Sequence, residues 1–146
     1  MIRETTISPS QVRGVRHYRM KTVVDAIRGD LTVGEFGGEV PFIPARYFVT
    51  HSIPSTQTRG EHAHRTCAQF LVCVHGACSV IVDDGRERES FRLDDPGTAL
   101  YVPPMVWAVE YDHSRDSALL VFASHRYDPA EYIRDYEAFL TEVLKS

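Results

Sequence analysis

The sequence predicts a single-domain, all-β fold of the barrel or jelly-roll kind with one helix at its C-terminus, on three observations. First, the segments DLTVGEF, ARYFVTHSI, QFLVCVHG, CSVIVDDG, ESFRL, TALYVPP, WAVEYDH and ALLVFAS follow one another with Gly, Asp, Pro or Ser between them. Short, regularly spaced apolar segments of this kind are the signature of a sandwich or barrel. Second, helical spacing of apolar residues occurs only near the end, at Tyr132, Tyr136, Phe139 and Leu140. Third, 146 residues with 43% hydrophobic and 25% charged residues suit one ordinary globular domain, spanning 1–146.

The individual elements have local causes. In CSVIVDDGRERESFRL, Asp84-Gly85 offers the positive φ values of a tight hairpin turn, and Val80 and Val82 alternate with Ser79, Ile81 and Asp83 so that one face turns inward. Pro103-Pro104 ends the strand TALYV, because proline cannot donate to a ladder. Asp128 is a candidate N-cap with Pro129 at the first helical position, and the helix that follows is expected to pack its aromatic face on the sheet. Residues 1–21 are expected to form an extension or an exchanged strand.

Composition narrows the partners. A net charge of -4 with interspersed signs argues against nucleic acid, which needs a basic face. The basic segment MIRETTISPSQVRGVRHYRMK has no apolar core, and no apolar run approaches the ~18 residues of a membrane span. No membrane partner is expected, and the expected location is the cytoplasm. Cys67, Cys73 and Cys78 form no CxxC pair and sit in apolar surroundings, which reads as buried, reduced thiols.

The chemistry concentrates in RGEHAHRTCAQFLVCVHG. On a strand, residues two apart share a face, so His62 and His64 project together while Ala63 turns away. Alone, such a pair is equally readable as exposed or hydrogen-bonded core histidines. The stretch resembles the first motif of the cupin superfamily, in which HxH is followed after four residues by Glu and after six more by Gly. Here Gln69 and Gly76 occupy those positions. The second cupin motif is matched in its framework by Gly97 and Pro103, but Ala108 stands where the last metal-binding His belongs. Two imidazoles and an amide make a poor metal site, so no tightly held metal is expected and the pair reads as acid/base machinery.

A narrower resemblance rests on RGEHAH, VDDG, LYVPPMVW, VPFIPARYF and the tail ASHRYDPAEYIRDYEAF, over roughly residues 22–140. Together these resemble the sugar 3,4-ketoisomerases that act on dTDP-4-keto-6-deoxyglucose. The resemblance implies a cupin-type jelly-roll β-barrel, a homodimer with exchanged N-terminal strands, and ketone migration from C4 to C3 with no cofactor. It also implies that His62 and His64 are base and proton shuttle, without assigning which is which. Arg28, Arg46 and Arg59 match basic positions at the family's cavity, where they would bind diphosphate or an enolate oxygen; the alternative for each is a surface ion pair. Gln69 would bond the sugar or a histidine, or complete a buried polar network. Phe48, Tyr101 and Trp107 would offer a surface for thymine, or else belong to the core.

This chain departs from many relatives at Phe48, where they carry Tyr, and at Ala108, where they carry His in a WHE sequence. The configuration of the product is therefore open. Other readings also stay open: an epimerase on the same sugar, a metal-dependent dioxygenase, and a non-catalytic sugar-nucleotide binder.

Overall fold

The computed structural model describes residues 1–54 and 56–145. Five short strands come first: β1 (Ile2–Arg3), β2 (Thr6–Pro9), β3 (Arg16–Arg19), β4 (Lys21–Val23) and β5 (Leu31–Val33). The main strands follow as β6 (Arg46–His51), β7 (Arg59–His64), β8 (Gln69–His75), β9 (Cys78–Asp83), β10 (Arg88–Leu93), β11 (Thr98–Val102), β12 (Trp107–Tyr111) and β13 (Ala118–Ala123). The chain closes with β14 (Tyr132–Ile133) and α1 (Tyr136–Leu144).

Two antiparallel sheets face each other, a six-stranded one in the order β2-β3-β11-β8-β13-β6 and a five-stranded one in the order β10-β9-β12-β7-β14. A small third sheet, β1-β4-β5, stands beside them. No ladder joins the two large sheets among the described residues, so the expected barrel is an open, jelly-roll-like sandwich. Residues 1–21, the expected extension or exchanged strand, run here as β1, β2 and β3 and the first residue of β4, with β3 laddered onto β11.

Alternation along the strands sorts the core. Leu71, Cys73, Val80, Val82, Leu100, Val102, Leu119 and Val121 fill the space between the sheets, as predicted for Val80 and Val82. Their neighbours one residue along point the other way. Phe70, Ala99 and partly buried Tyr101 pack with Tyr18, Met20 and Val40 on the outer face of the six-stranded sheet. Ala63, Trp107 and Ile133 lie under Phe139 of α1 on the outer face of the five-stranded sheet. All three cysteines are buried and free.

A hairpin forms at Asp84-Gly85, but its ladder closes at Asp83 and Arg88, so the connection has four residues and of the two only Gly85 takes a positive φ, 92°, while the Asp84 carboxylate accepts from the amides of Arg86 and Glu87. The C-terminal helix begins later than predicted. Asp128 does cap a turn, but only the single 3-10 turn Pro129–Glu131. Tyr132 and Ile133 are then drawn into pairing with His64 and Ala63, and Asp135 caps the true helix through the amide of Ala138. The ladder to β7 overrides the local helical pattern.

Candidate active site

A cavity of about 620 Å³ opens between the sheets, within the range of small-molecule sites. Its wall takes Arg46, Phe48 and Thr50 from β6, Arg59 and His62 from β7, Gln69 from β8, Glu110 from β12, and Tyr132 with Arg134 from the C-terminal segment.

A bulge sets the geometry. Ala108 pairs with His62 and Glu110 with Arg59, so three residues of β7 span what two residues of β12 span. The extra residue is absorbed at Gly60 and Glu61, which take φ of 86° and 39°. Arg59 and His62 are an odd number apart and would otherwise face opposite ways; the bulge lets both line the cavity.

The histidines are held tightly. Nδ1–H of His62 donates to the Gly60 carbonyl, which fixes the tautomer of the neutral ring and leaves a lone pair on its Nε2. That atom lies 3.1 Å from Nε2 of His64, so the proton between them belongs to His64. The Gln69 amide nitrogen lies 3.1 Å from the same His64 nitrogen; because that nitrogen carries the proton, the contact is satisfied with the amide turned over, its oxygen accepting from the N–H. The buried Nδ1 of His64 has no partner among the described residues, as suits a bare lone pair better than an N–H. Tyr132 packs on both rings, with centroids 4.9 Å from His62 and 4.4 Å from His64.

Burial is the main force lowering both histidine pKa values, His64 to about 4. The Gly60 carbonyl opposes the shift at His62, Arg134 and Arg46 add to it, and at His64 the neighbouring His62 adds further. Both rings are therefore neutral near pH 7 and able to accept a proton. The donors gathered here are two imidazoles and one amide, facing Ala108 across the ladder, which is a poor fit for a metal ion.

Cations surround the pair. Arg46 donates to the Tyr132 hydroxyl at 3.1 Å and to the His125 carbonyl at 3.2 Å, and its guanidinium lies 5.6 Å from the Phe48 ring and 5.4 Å from that of Tyr127. The Arg134 guanidinium sits 4.3 Å over the Tyr132 ring. Polar atoms without partners face the same space: the buried Thr50 hydroxyl has none among the described residues. Such atoms are costly unless a ligand or water meets them.

Of the residues singled out from sequence, His62, His64, Arg46, Phe48, Arg59 and Gln69 come together here. Three do not. Arg28 lies on an exposed turn, its side chain 87% accessible and paired with Asp25 at 2.8 Å. Tyr101 points to the opposite face of its sheet, against Phe42 and under Arg16. Trp107 points away from the cavity, 5.8 Å from Phe139 and 5.3 Å from Tyr136. For Tyr101 and Trp107 the cause is the two-residue period of a strand, in which an inward Leu100 or Ala108 forces its neighbour outward. Sequence reasoning missed Glu110, Tyr132 and Arg134. The signal for Glu110 was present in its position two residues after Ala108, whereas Tyr132 was read as part of a helix.

The fold recurs in proteins of known structure. The 3,4-ketoisomerase QdtA from Thermoanaerobacterium thermosaccharolyticum, as a histidine-to-asparagine variant in complex with TDP-4-keto-6-deoxyglucose, superposes with a TM-score of 0.88 at 30% identity, covering 92% of this chain and 97% of QdtA. The WlaRB TDP-quinovose 3,4-ketoisomerase from Campylobacter jejuni gives 0.84 at 33% identity over 89% and 99% of the two chains. A TDP-4-oxo-6-deoxy-alpha-D-glucose-3,4-oxoisomerase from Aneurinibacillus thermoaerophilus is 38% identical over 125 residues, 86% of this chain and 89% of that protein. With residues 13–144 matching the family described as "FdtA: WxcM-like, C-terminal", the bulge, the histidine pair and the C-terminal strand all fall inside the match, and the chain belongs to the FdtA family.

Proposed function

We propose that the protein is an isomerase that moves the ketone of a dTDP-linked 4-keto-6-deoxy sugar from C4 to C3. One observation carries the reading: two neutral, mutually bonded histidines stand at the wall of a cavity bordered by three arginines. The C4 ketone acidifies the hydrogen on C3. A neutral imidazole removes it as a proton, the electron pair becomes the C3–C4 double bond of an enediol, and the imidazolium returns a proton to C4. His62 is the carbon base on this reading, since it lines the cavity; its Nε2 lone pair accepts from His64 in the resting site and turns to C3 when the sugar enters, while His64 positions the ring. Arg46, Arg59 and Arg134 suit the diphosphate, and Phe48 offers an apolar face to the base.

The reading includes a homodimer. Its support is the edge strand β2, whose four residues are all exposed and whose outer side has no neighbour in the sheet among the described residues. No helix of the described residues is long and apolar enough to cross a membrane.

The test is incubation with dTDP-4-keto-6-deoxyglucose in D2O, followed by NMR. A 3-keto product is expected, with deuterium at C4 to the extent that the imidazolium exchanges with solvent before it returns its proton; inversion at C3 or C5 with the ketone still at C4 would instead make the protein an epimerase. His62→Ala and His64→Asn should each lower turnover by at least about a hundredfold, and turnover at the wild-type rate in both would refute the histidine mechanism.

A further inference from the structure

Ketone migration moves two kinds of proton. One passes between carbons; another must leave O3 and arrive on O4. The histidine pair accounts for the first.

Glu110 is a buried carboxyl, 9% exposed, on the inward face of β12 and in the cavity wall. Among the described residues it has no ion pair and no hydrogen bond from another residue; its own backbone amide is its contact. It lies against Gly60, where an added methyl group would sit 2.0 Å from its Oε2. Arg59 faces it from β7 and Val80 from β9. Cys78, a free thiol hydrogen-bonded to Cys73, is the nearby titratable group of β9, and His62 shares the cavity wall with Glu110. A carboxyl largely removed from water with no partner beyond its own amide is costly unless it holds a proton or receives a ligand's hydroxyl.

We propose that Glu110 is the oxygen-side acid–base of the isomerisation, bridging the vicinal O3 and O4 of the bound hexose. The proposal rests on the ketoisomerase reading and completes it. As the imidazole removes the C3 proton and the C3–C4 double bond forms, the C4 carbonyl electrons move to O4, which takes the Glu110 proton. The Glu110 carboxylate then takes the O3 proton, the O3 electrons form the C3 carbonyl, and the double-bond pair takes the imidazolium proton at C4. Glu110 ends protonated, the imidazole ends neutral, and nothing is oxidised or reduced overall.

The other groups in the wall are unsuited to this task. The arginines hold their protons throughout. The Tyr132 hydroxyl is engaged by Arg46, and the Glu61 carboxylate by the Thr58 hydroxyl. Tyr127 lies at the exposed rim. Burial, opposed by Arg59, raises the Glu110 pKa to about 7, so both of its forms are present near neutrality, as a shuttle requires.

The test compares the wild-type protein with Glu110→Gln and Glu110→Asp, using dTDP-4-keto-6-deoxyglucose. Gln should lower kcat by about a hundredfold or more, with KM changed by less than about threefold. Wild-type kcat should fall as pH rises above about 7, and the residual rate of the Gln variant should lack this limb. In D2O the Gln variant should exchange the C3 hydrogen faster than it isomerises. Asp keeps the carboxyl and should retain more activity than Gln. A packing role would reverse that order, because Gln is the isostere, and the reversed order overturns the proposal. A Gln variant with wild-type kcat and an unchanged pH limb does the same. If wild-type protein does not isomerise the sugar at all, the ketoisomerase reading falls and this proposal with it, a result separate from failure at Glu110 alone. Should the Gln variant not fold, the Asp variant's rate and pH limb decide.

Discussion

Replacing Glu110 by Gln should make the protein more stable at alkaline pH and not at acid pH. Burial raises the carboxyl from its ordinary 4.5 to about 7, and each tenfold change in proton affinity is worth about 1.4 kcal/mol. The folded chain therefore binds this proton more tightly than the unfolded chain. The resulting stabilisation is whole below pH 4.5 and is lost as pH climbs through about 7, about 3 kcal/mol in all. Gln does not ionise. The stability difference between variant and wild type should shift in favour of Gln by about 3 kcal/mol from pH 4.5 to pH 8.

His64 acts in the opposite direction. Lowered from 6.5 to about 4, it stabilises fully above pH 6.5 and loses that contribution as pH falls toward 4. In wild-type protein the two slopes oppose each other through one window, and the variant exposes the histidine slope. Urea unfolding at pH 4.5 and pH 8 measures the difference, read by fluorescence of Trp107, the only tryptophan, seated beneath α1. A stability difference that stays constant within about 0.5 kcal/mol across this range, with equal m values, would mean that the fold does not hold Glu110 protonated.

Two further outcomes follow from the site's framework. Gly60→Ala places a methyl group against Glu110 and 3.2 Å from the Ala108 carbonyl in a left-handed conformation; a loss of about 3 kcal/mol is expected in thermal unfolding, with kcat falling as His62 loses its carbonyl anchor. Arg46→Lys keeps the charge but breaks the fork joining the His125 carbonyl to the Tyr132 hydroxyl, and the KM for the sugar nucleotide should rise about tenfold.

Most of the sandwich was legible because its strands alternate, and the segments from Leu31 onward fall where apolar residues recur at two. Parity along those strands was harder to read. Tyr101 and Trp107 are aromatic and stand beside motif residues, yet one step along a strand reverses the face. At β7 the reverse happens, since the bulge at Gly60 and Glu61 brings Arg59 to the same wall as His62. Tyr132 was illegible for another reason. Its spacing to Tyr136 and Phe139 is helical, and only the long-range ladder to His64 makes it a strand residue. Arg28 belongs to a locally closed turn, in which Asp25 satisfies both its amide and its guanidinium.

The same desolvation that keeps the imidazoles neutral also keeps a share of the Glu110 carboxyl protonated, so one cavity provides base and acid together near pH 7. The arginines set the balance. Arg59 pulls the Glu110 pKa down, while Arg46 and Arg134 push those of the histidines down. A diphosphate bound among these guanidiniums cancels part of their field, which makes the imidazoles more basic and the carboxyl more firmly protonated. Both changes favour the first step, in which a carbon proton leaves toward an imidazole and O4 receives one. On this reading the anionic part of the substrate prepares the groups that act on its sugar. Ala108, paired with His62, brings no charge to the strand, and Glu110, one strand period along, provides the exchangeable proton.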